Sequence, residues 1–151
     1  MSRAAPPARA TLEQSFERAL IQATRALAGE KGLTIICGTH GASPPVDALL
    51  LPPVPSPLTA PAVARARGQA DRLALRRAHF DEHIHARYRP AGPRARELYD
   101  VLEDMRCQSL GAQAMTGIAL NLEAALVEQL ERSDALGAQL ARSTGMVQAL
   151  A

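Results

Sequence analysis

Five prolines fall within ten residues of this 151-residue chain, at Pro52, Pro53, Pro55, Pro57 and Pro61. Each fixes its own φ and lacks an amide hydrogen, so neither a helix nor a central strand can run through the tract. The chain is thereby cut into a shorter N-terminal part and a longer C-terminal part. The tract itself is expected to lie as a strap on the core. Leu49, Leu50, Leu51, Val54 and Leu58 cluster there, and leaving all of them in water would be costly.

Upstream of the prolines, residues 1–10 read as a flexible tail. Thr11 and Gln14 form a capping-box pair for a helix carrying Leu12, Phe16, Leu20, Ala23 and Leu27 at helical spacing, with Ile21 widening the apolar face. Gly29 and Gly32 end it. The segment from Leu33 to Cys37 is β-prone and too short for a helix. A second short strand is expected over Val46–Leu51, so the pair reads as a small β-hairpin.

Downstream, Thr59 can cap a helix that tolerates Pro61 in its first turn. Val63, Ala66, Ala70, Leu73, Phe80, Ile84 and Tyr88 continue at helical spacing, predicting one helix of about 28 residues. Pro90, Gly92 and Pro93 stop it. A further helix begins near Arg94 with Leu98, Leu102, Met105 and Leu110 as its apolar face, and Gly111 either breaks it or permits close packing. Met115, Ile118, Leu122, Ala125, Leu126 and Leu130 predict another helix, whose end near Gly145 is open. The fold class expected is mainly α: a compact helical domain over 11–141 with a small hairpin and a proline-rich strap, followed by a C-terminal tail over 142–151. Aromatic residues make up only 3%, with no Trp, so the core is built from Ala, Leu, Ile, Val and Met, whose small members allow close helix contacts.

The net charge of +2 is unevenly placed. Between Ala60 and Arg89 seven Arg face three carboxylates, Asp71, Asp81 and Glu82, a local excess of +4. Such a helix face is either solvated or a docking surface for an acidic partner. Glu97, Asp100, Glu103 and Asp104 form an acidic face on the next helix and can pair with it internally. A nucleic-acid face built on Arg65, Arg67, Arg72 and Arg76 is the third reading, but no aromatic platform or known nucleic-acid motif accompanies it.

The sharpest chemical constellation is His79-Phe-Asp-Glu-His-Ile-His85. On one continuous helix His79 and His83 could share a metal with Glu82, and a small metal-dependent hydrolase is the enzyme alternative. Phe80 stands where H-E-x-x-H requires Glu, and ordinary polar helix surface is the stronger reading. No phosphate-binding loop, Ser-His-Asp constellation or zinc spacing of Cys is present; Cys37 and Cys107 stand alone. No catalytic, cofactor-binding or metal residue is therefore expected. The N-terminus is not an apolar signal segment and no stretch is long and apolar enough for a membrane span, so a cytoplasmic setting is expected.

The tract Arg67-Gly-Gln-Ala-Asp-Arg-Leu-Ala-Leu-Arg76, continuing through His79-Phe-Asp81, resembles the N-terminal region of the cobaltochelatase CobT subunit family. Phe16-Glu-Arg-Ala-Leu20, Thr24-Arg-Ala-Leu-Ala-Gly29, Pro90, Leu98-Tyr-Asp-Val-Leu-Glu103, Arg106, Leu110-Gly111, Met115-Thr-Gly117 and Asn121-Leu122 extend the resemblance in order, over roughly residues 12–132. It implies an accessory subunit that works with an AAA+ ATPase subunit and a large catalytic subunit to insert cobalt into hydrogenobyrinic acid a,c-diamide. ATP, magnesium and cobalt belong to that complex, and none is expected on this chain; membrane and nucleic acid are not expected partners. The family normally carries an acidic connecting region and a C-terminal von Willebrand A-type domain, and the D-x-S-x-S motif of the latter does not occur here. The chain is thus expected to correspond to the family's N-terminal region. The positions carried over as a docking or structural surface are Arg67, Gly68, Asp71, Arg72, Arg76, His79 and Asp81, with Met115, Gly117, Asn121 and Leu122 on the later segment.

Overall fold

The computed structural model describes residues 11–38 and 45–148. The tail over 1–10 and the last three residues lie outside them. Helix α1 spans Leu12–Ala28, strands β1 Ile35–Cys37 and β2 Leu49–Leu51, and helices α2 Ala60–His79, α3 Glu82–Tyr88, α4 Pro93–Ala114 and α5 Thr116–Gln148. The architecture is mainly helical, as expected. The boundary expected at 141 falls inside α5, which continues past Gly145.

Helix α1 starts where the capping box places it. Thr11 Oγ1 accepts from the Gln14 amide at 3.2 Å and Gln14 Oε1 accepts from the Thr11 amide at 3.1 Å, satisfying two donors at the helix start. Gly29 ends the helix at φ 73°, in the left-handed region that glycine enters at least cost. The buried face of α1 carries Leu20, Thr24 and Ala28, and Thr24 Oγ1 donates to the Leu20 carbonyl at 2.8 Å, so its burial leaves no orphan hydroxyl.

The hairpin expectation is corrected by the pairing of the strands. β1 and β2 run parallel, with Ile35 opposite Leu49, Ile36 opposite Leu50 and Cys37 opposite Leu51. A hairpin turn joins antiparallel strands, whereas these two run in the same direction. Leu33, Ile35 and Leu51 join Leu20 and Ala28 of α1 and Ala70 and Ala74 of α2 in one core. In the proline segment Val54 and Leu58 are half-buried, and Ser56 Oγ lies 3.5 Å from Glu13 Oε1 of α1. Leu50, by contrast, is exposed.

Helix α2 is the hub, packing against α1, α4 and α5. Thr59 caps it by accepting from the Ala62 amide. The single helix expected from Thr59 to Tyr88 is in fact two. Phe80 is extended, and the Asp81 side chain accepts from the Ile84 amide at 2.9 Å, starting α3 afresh. A short carboxylate competes well for the amides of a new helix start, and hydrophobic spacing alone does not register that competition. Ile84 and Tyr88 consequently leave the α2 face and stand exposed.

The largest departure concerns α4. Its expected apolar face is on the surface: Leu98 is 60% exposed, Leu102 54%, Met105 56% and Leu110 42%. The helix instead buries Cys107 and Gly111. Gly111 lies over Leu75 of α2, where an added Cβ would stand 3.0 Å from Leu75 Cγ and closer still to its methyl groups. Small residues let the backbones approach, so α4 is anchored by its small face and displays its large one.

Candidate functional site

The family-like positions converge where α2 crosses α5. Asp71 is buried on α2 and its Oδ2 accepts from Asn121 Nδ2 of α5 at 2.9 Å. One turn earlier, Gly68 faces the Asn121 main chain, and an added Cβ would also stand 2.8 Å from Ala125 Cβ. Burial pushes the Asp71 carboxyl above its ordinary pKa, opposed by the Asn121 hydrogen bond and the positive charge of Arg67. The bond is intramolecular and closes the crossing. Arg67 itself is exposed, with its guanidinium 5.9 Å from the centre of the Phe16 ring of α1.

Beside this crossing runs a row of guanidiniums held by two carboxylates. Asp104 of α4 takes Arg72 Nε at 3.0 Å and Arg76 Nη1 at 2.9 Å, which unites the basic and acidic helix faces anticipated from sequence. Glu128 of α5 takes Arg65 Nε at 3.6 Å, Arg132 Nη2 at 2.9 Å and Gln69 Nε2 at 3.0 Å. Arg106 grips Glu103, and that hydrogen bond holds the Glu103 carboxyl below its usual range; Arg106 also reaches the His79 carbonyl at 2.6 Å. The role of Glu128 was not legible in the sequence, since nothing local marks an acid that sits opposite an arginine on another helix.

The remaining candidates are dispersed. His79 ends α2 on the surface and Asp81 is spent as the α3 cap. Because the helix breaks between them, His79 and His83 do not share one helical face. Among the described residues no three His, Cys, Asp or Glu side chains gather where they could hold a metal ion. His85 instead lies between Phe80 and Tyr99, with ring centres 5.0 and 4.7 Å away. Its Nε2 is 2.9 Å from Asp100 Oδ1, near enough for an ion pair when the ring is protonated but not aligned as a ring N–H hydrogen bond. Met115 forms the exposed corner between α4 and α5, Gly117 faces open space, and Leu122 is half-buried.

With this geometry established, comparison supplies the family. Residues 11–151 match the family model described as cobalamin biosynthesis protein CobT. The chain belongs to the CobT family. Membership implies a role in cobalamin biosynthesis and extends the sequence resemblance through α5 to the end of the chain. No solved structure matches the chain. Among the described residues no helix is long and apolar enough to cross a membrane.

The arrangement brings Gly68, Asp71 and Asn121 of the CobT-like positions into one crossing and sets Arg72 and Arg76 beside it. What the sequence did not anticipate is the open apolar surface next to them, made by Val101 and Met105 of α4 and Leu126 of α5. Its signal was present as the apolar spacing of α4, but that spacing reads equally well as a core face.

Proposed function

We propose that this chain is a non-catalytic assembly module of an ATP-dependent cobaltochelatase, supporting insertion of cobalt into hydrogenobyrinic acid a,c-diamide in cobalamin biosynthesis. Its partners are an AAA+ ATPase subunit, which uses ATP and magnesium, and the large catalytic subunit, on which cobalt and the tetrapyrrole meet. It works in the cytoplasm by binding proteins, with no part played by membrane or nucleic acid. The module is the helical unit from residue 11 through α5, and its partner-binding or structural positions are Arg67, Gly68, Asp71, Arg72, Arg76, His79, Asp81, Met115, Gly117, Asn121 and Leu122, of which Gly68, Asp71 and Asn121 serve the α2–α5 crossing.

The observation that carries this reading is the exposed row Leu98, Val101, Leu102 and Met105 along α4. Large apolar side chains at i, i+3, i+4 and i+7 on one helix are what a partner covers, and a contiguous surface of that kind is uncommon on a protein that acts alone. CobT membership supplies the pathway. The hydrolase reading finds no support in the dispersed His79, His83 and Glu82. The nucleic-acid reading has no aromatic platform or recognised nucleic-acid motif beside Arg65, Arg67, Arg72 and Arg76 to support it.

The test is size-exclusion chromatography with mass determination of this chain and its cognate AAA+ subunit, with and without ATP. A discrete complex supports the assembly role. Separate elution under both conditions removes direct ATPase docking by this region.

A further inference from the structure

α4 and α5 both lie on α2 and leave between them a groove of about 660 Å³. Its floor is α2 at Gly68, and its walls carry Val101 and Met105 on one side and Leu122 and Leu126 on the other. It runs from Ala112 beside the α4–α5 corner to Val101, a stretch of α4 about 16 Å long at 1.5 Å per residue, or about three helical turns. Polar Gln108, Ser109 and Gln129 also line the walls, and the apolar Val101, Met105 and Leu126 among them are all exposed.

The charges are layered by depth. The carboxylates are sunk, with the Asp104 and Glu128 side chains 18% and 19% exposed. The guanidiniums they hold stand outward, with Arg72 46% and Arg132 73% exposed. Arg76 and Arg65 form a second pair on the same two acids, so four cations surround two anions. Each guanidinium has five N–H donors, and one carboxylate does not use them all. In the groove lining Arg72 and Arg132 equal Asp104 and Glu128 in number, but the guanidiniums stand outward and the carboxylates lie beneath, so a partner at the mouth meets the positive groups first.

We infer that this groove docks an acidic amphipathic helix of a partner protein, its apolar stripe seated between Val101, Met105 and Leu126 and its Asp or Glu flanks reaching Arg72 and Arg132. The inference rests on the protein-binding role proposed above and specifies the chemistry of the bound segment. An apolar stripe fits the helix-in-groove mode, and flanking acids fit the rim, whereas flanking lysines would face it with like charge.

The test uses the 151-residue chain and two labelled peptides of about four helical turns, both with Leu at i, i+3, i+4 and i+7. One carries Glu at the flanking positions and the other Lys, and binding is read by fluorescence anisotropy at low and raised salt. The acidic peptide is expected to bind at least about tenfold more tightly than the basic one, with affinity falling as salt rises. Arg72→Gln with Arg132→Gln should weaken the acidic peptide by about tenfold, and Leu126→Ser should do the same at any salt while circular dichroism reports an unchanged fold. Equal binding of the two peptides, or no binding of either, overturns the inference. So does a concentration-dependent dimer that Leu126→Ser returns to monomer without peptide binding, because a second copy would then be the occupant. These readouts are independent of ATPase co-elution: peptide binding without co-elution retains the groove and removes the ATPase, and co-elution unaffected by Leu126→Ser in a chain that ignores both peptides does the reverse.

Discussion

Asn121 donates from Nδ2 to Asp71 Oδ2 at 2.9 Å, one turn along α2 from Gly68, the residue whose missing side chain lets α5 approach. The two features act together. A hydrogen bond from half-buried Asn121 to buried Asp71 needs the backbones at a fixed separation, and the glycine permits that separation.

Gly68→Ala is therefore expected to destabilise the fold by about 1–3 kcal/mol, the usual cost of forcing a methyl into a packed contact. The new Cβ meets the Asn121 main chain, which cannot rotate away as a side chain would. Gly117→Ala is the control, since nothing lies within 4 Å of its added Cβ, and stability should stay within about 0.5 kcal/mol. Urea unfolding of the two variants checks both.

Asp71→Asn keeps an oxygen for Asn121 to donate to and removes the buried charge. Burial raises the folded pKa of Asp71 above its unfolded value, so the fold disfavours the ionised form. The contribution of Asp71 is then most favourable at low pH and is lost as pH rises from the unfolded pKa through the folded one. The stability of Asp71→Asn relative to wild type should accordingly rise as pH climbs from acid through that window to neutral. Denaturant unfolding of both proteins across this range reads the difference and cancels the other carboxylates; a difference constant with pH would count against the assignment.

Leu75 and Leu102 should behave oppositely although only Leu102 belongs to an apolar face expected from helical spacing. Leu75 is 1% exposed beneath Gly111, and Leu75→Ala is expected to cost about 2–5 kcal/mol through lost burial and the cavity left behind. Leu102→Ala should change stability by no more than about 0.5 kcal/mol, because its side chain already faces solvent. Thermal unfolding distinguishes the pair.

His79→Ala combined with His83→Ala is expected to leave stability within about 0.5 kcal/mol, as both residues are exposed and the His79 carbonyl that Arg106 reaches survives the change. Calorimetric titration of wild type with zinc should show no stoichiometric site. Tight binding of one zinc that disappears in the double variant would restore the hydrolase reading.

The local signals determined much of this protein. The capping box of Thr11 and Gln14, the Gly29 stop, the Thr59 cap and a helix start near Arg94 lie where the sequence placed them, because each is set by contacts or fixed torsions within one helical turn. The pairing of the basic α2 face with Asp104 was legible because opposite charges on successive helices have an obvious use for one another. Three matters were decided only by tertiary structure. The strands pair in parallel because packing on α1 and α2, rather than a turn signal, fixes how Ile35 and Leu51 enter the core. The long helix divides at Phe80 because the amides of α3 find Asp81, a competition that apolar periodicity does not record. And α4 turns Leu98, Leu102 and Met105 outward because Cys107 and Gly111 permit a closer approach to Leu75 than any larger face could. Hydrophobic spacing says which residues share a helix face; only the close fit of small residues against a neighbour decides whether that face becomes core or is left for a partner.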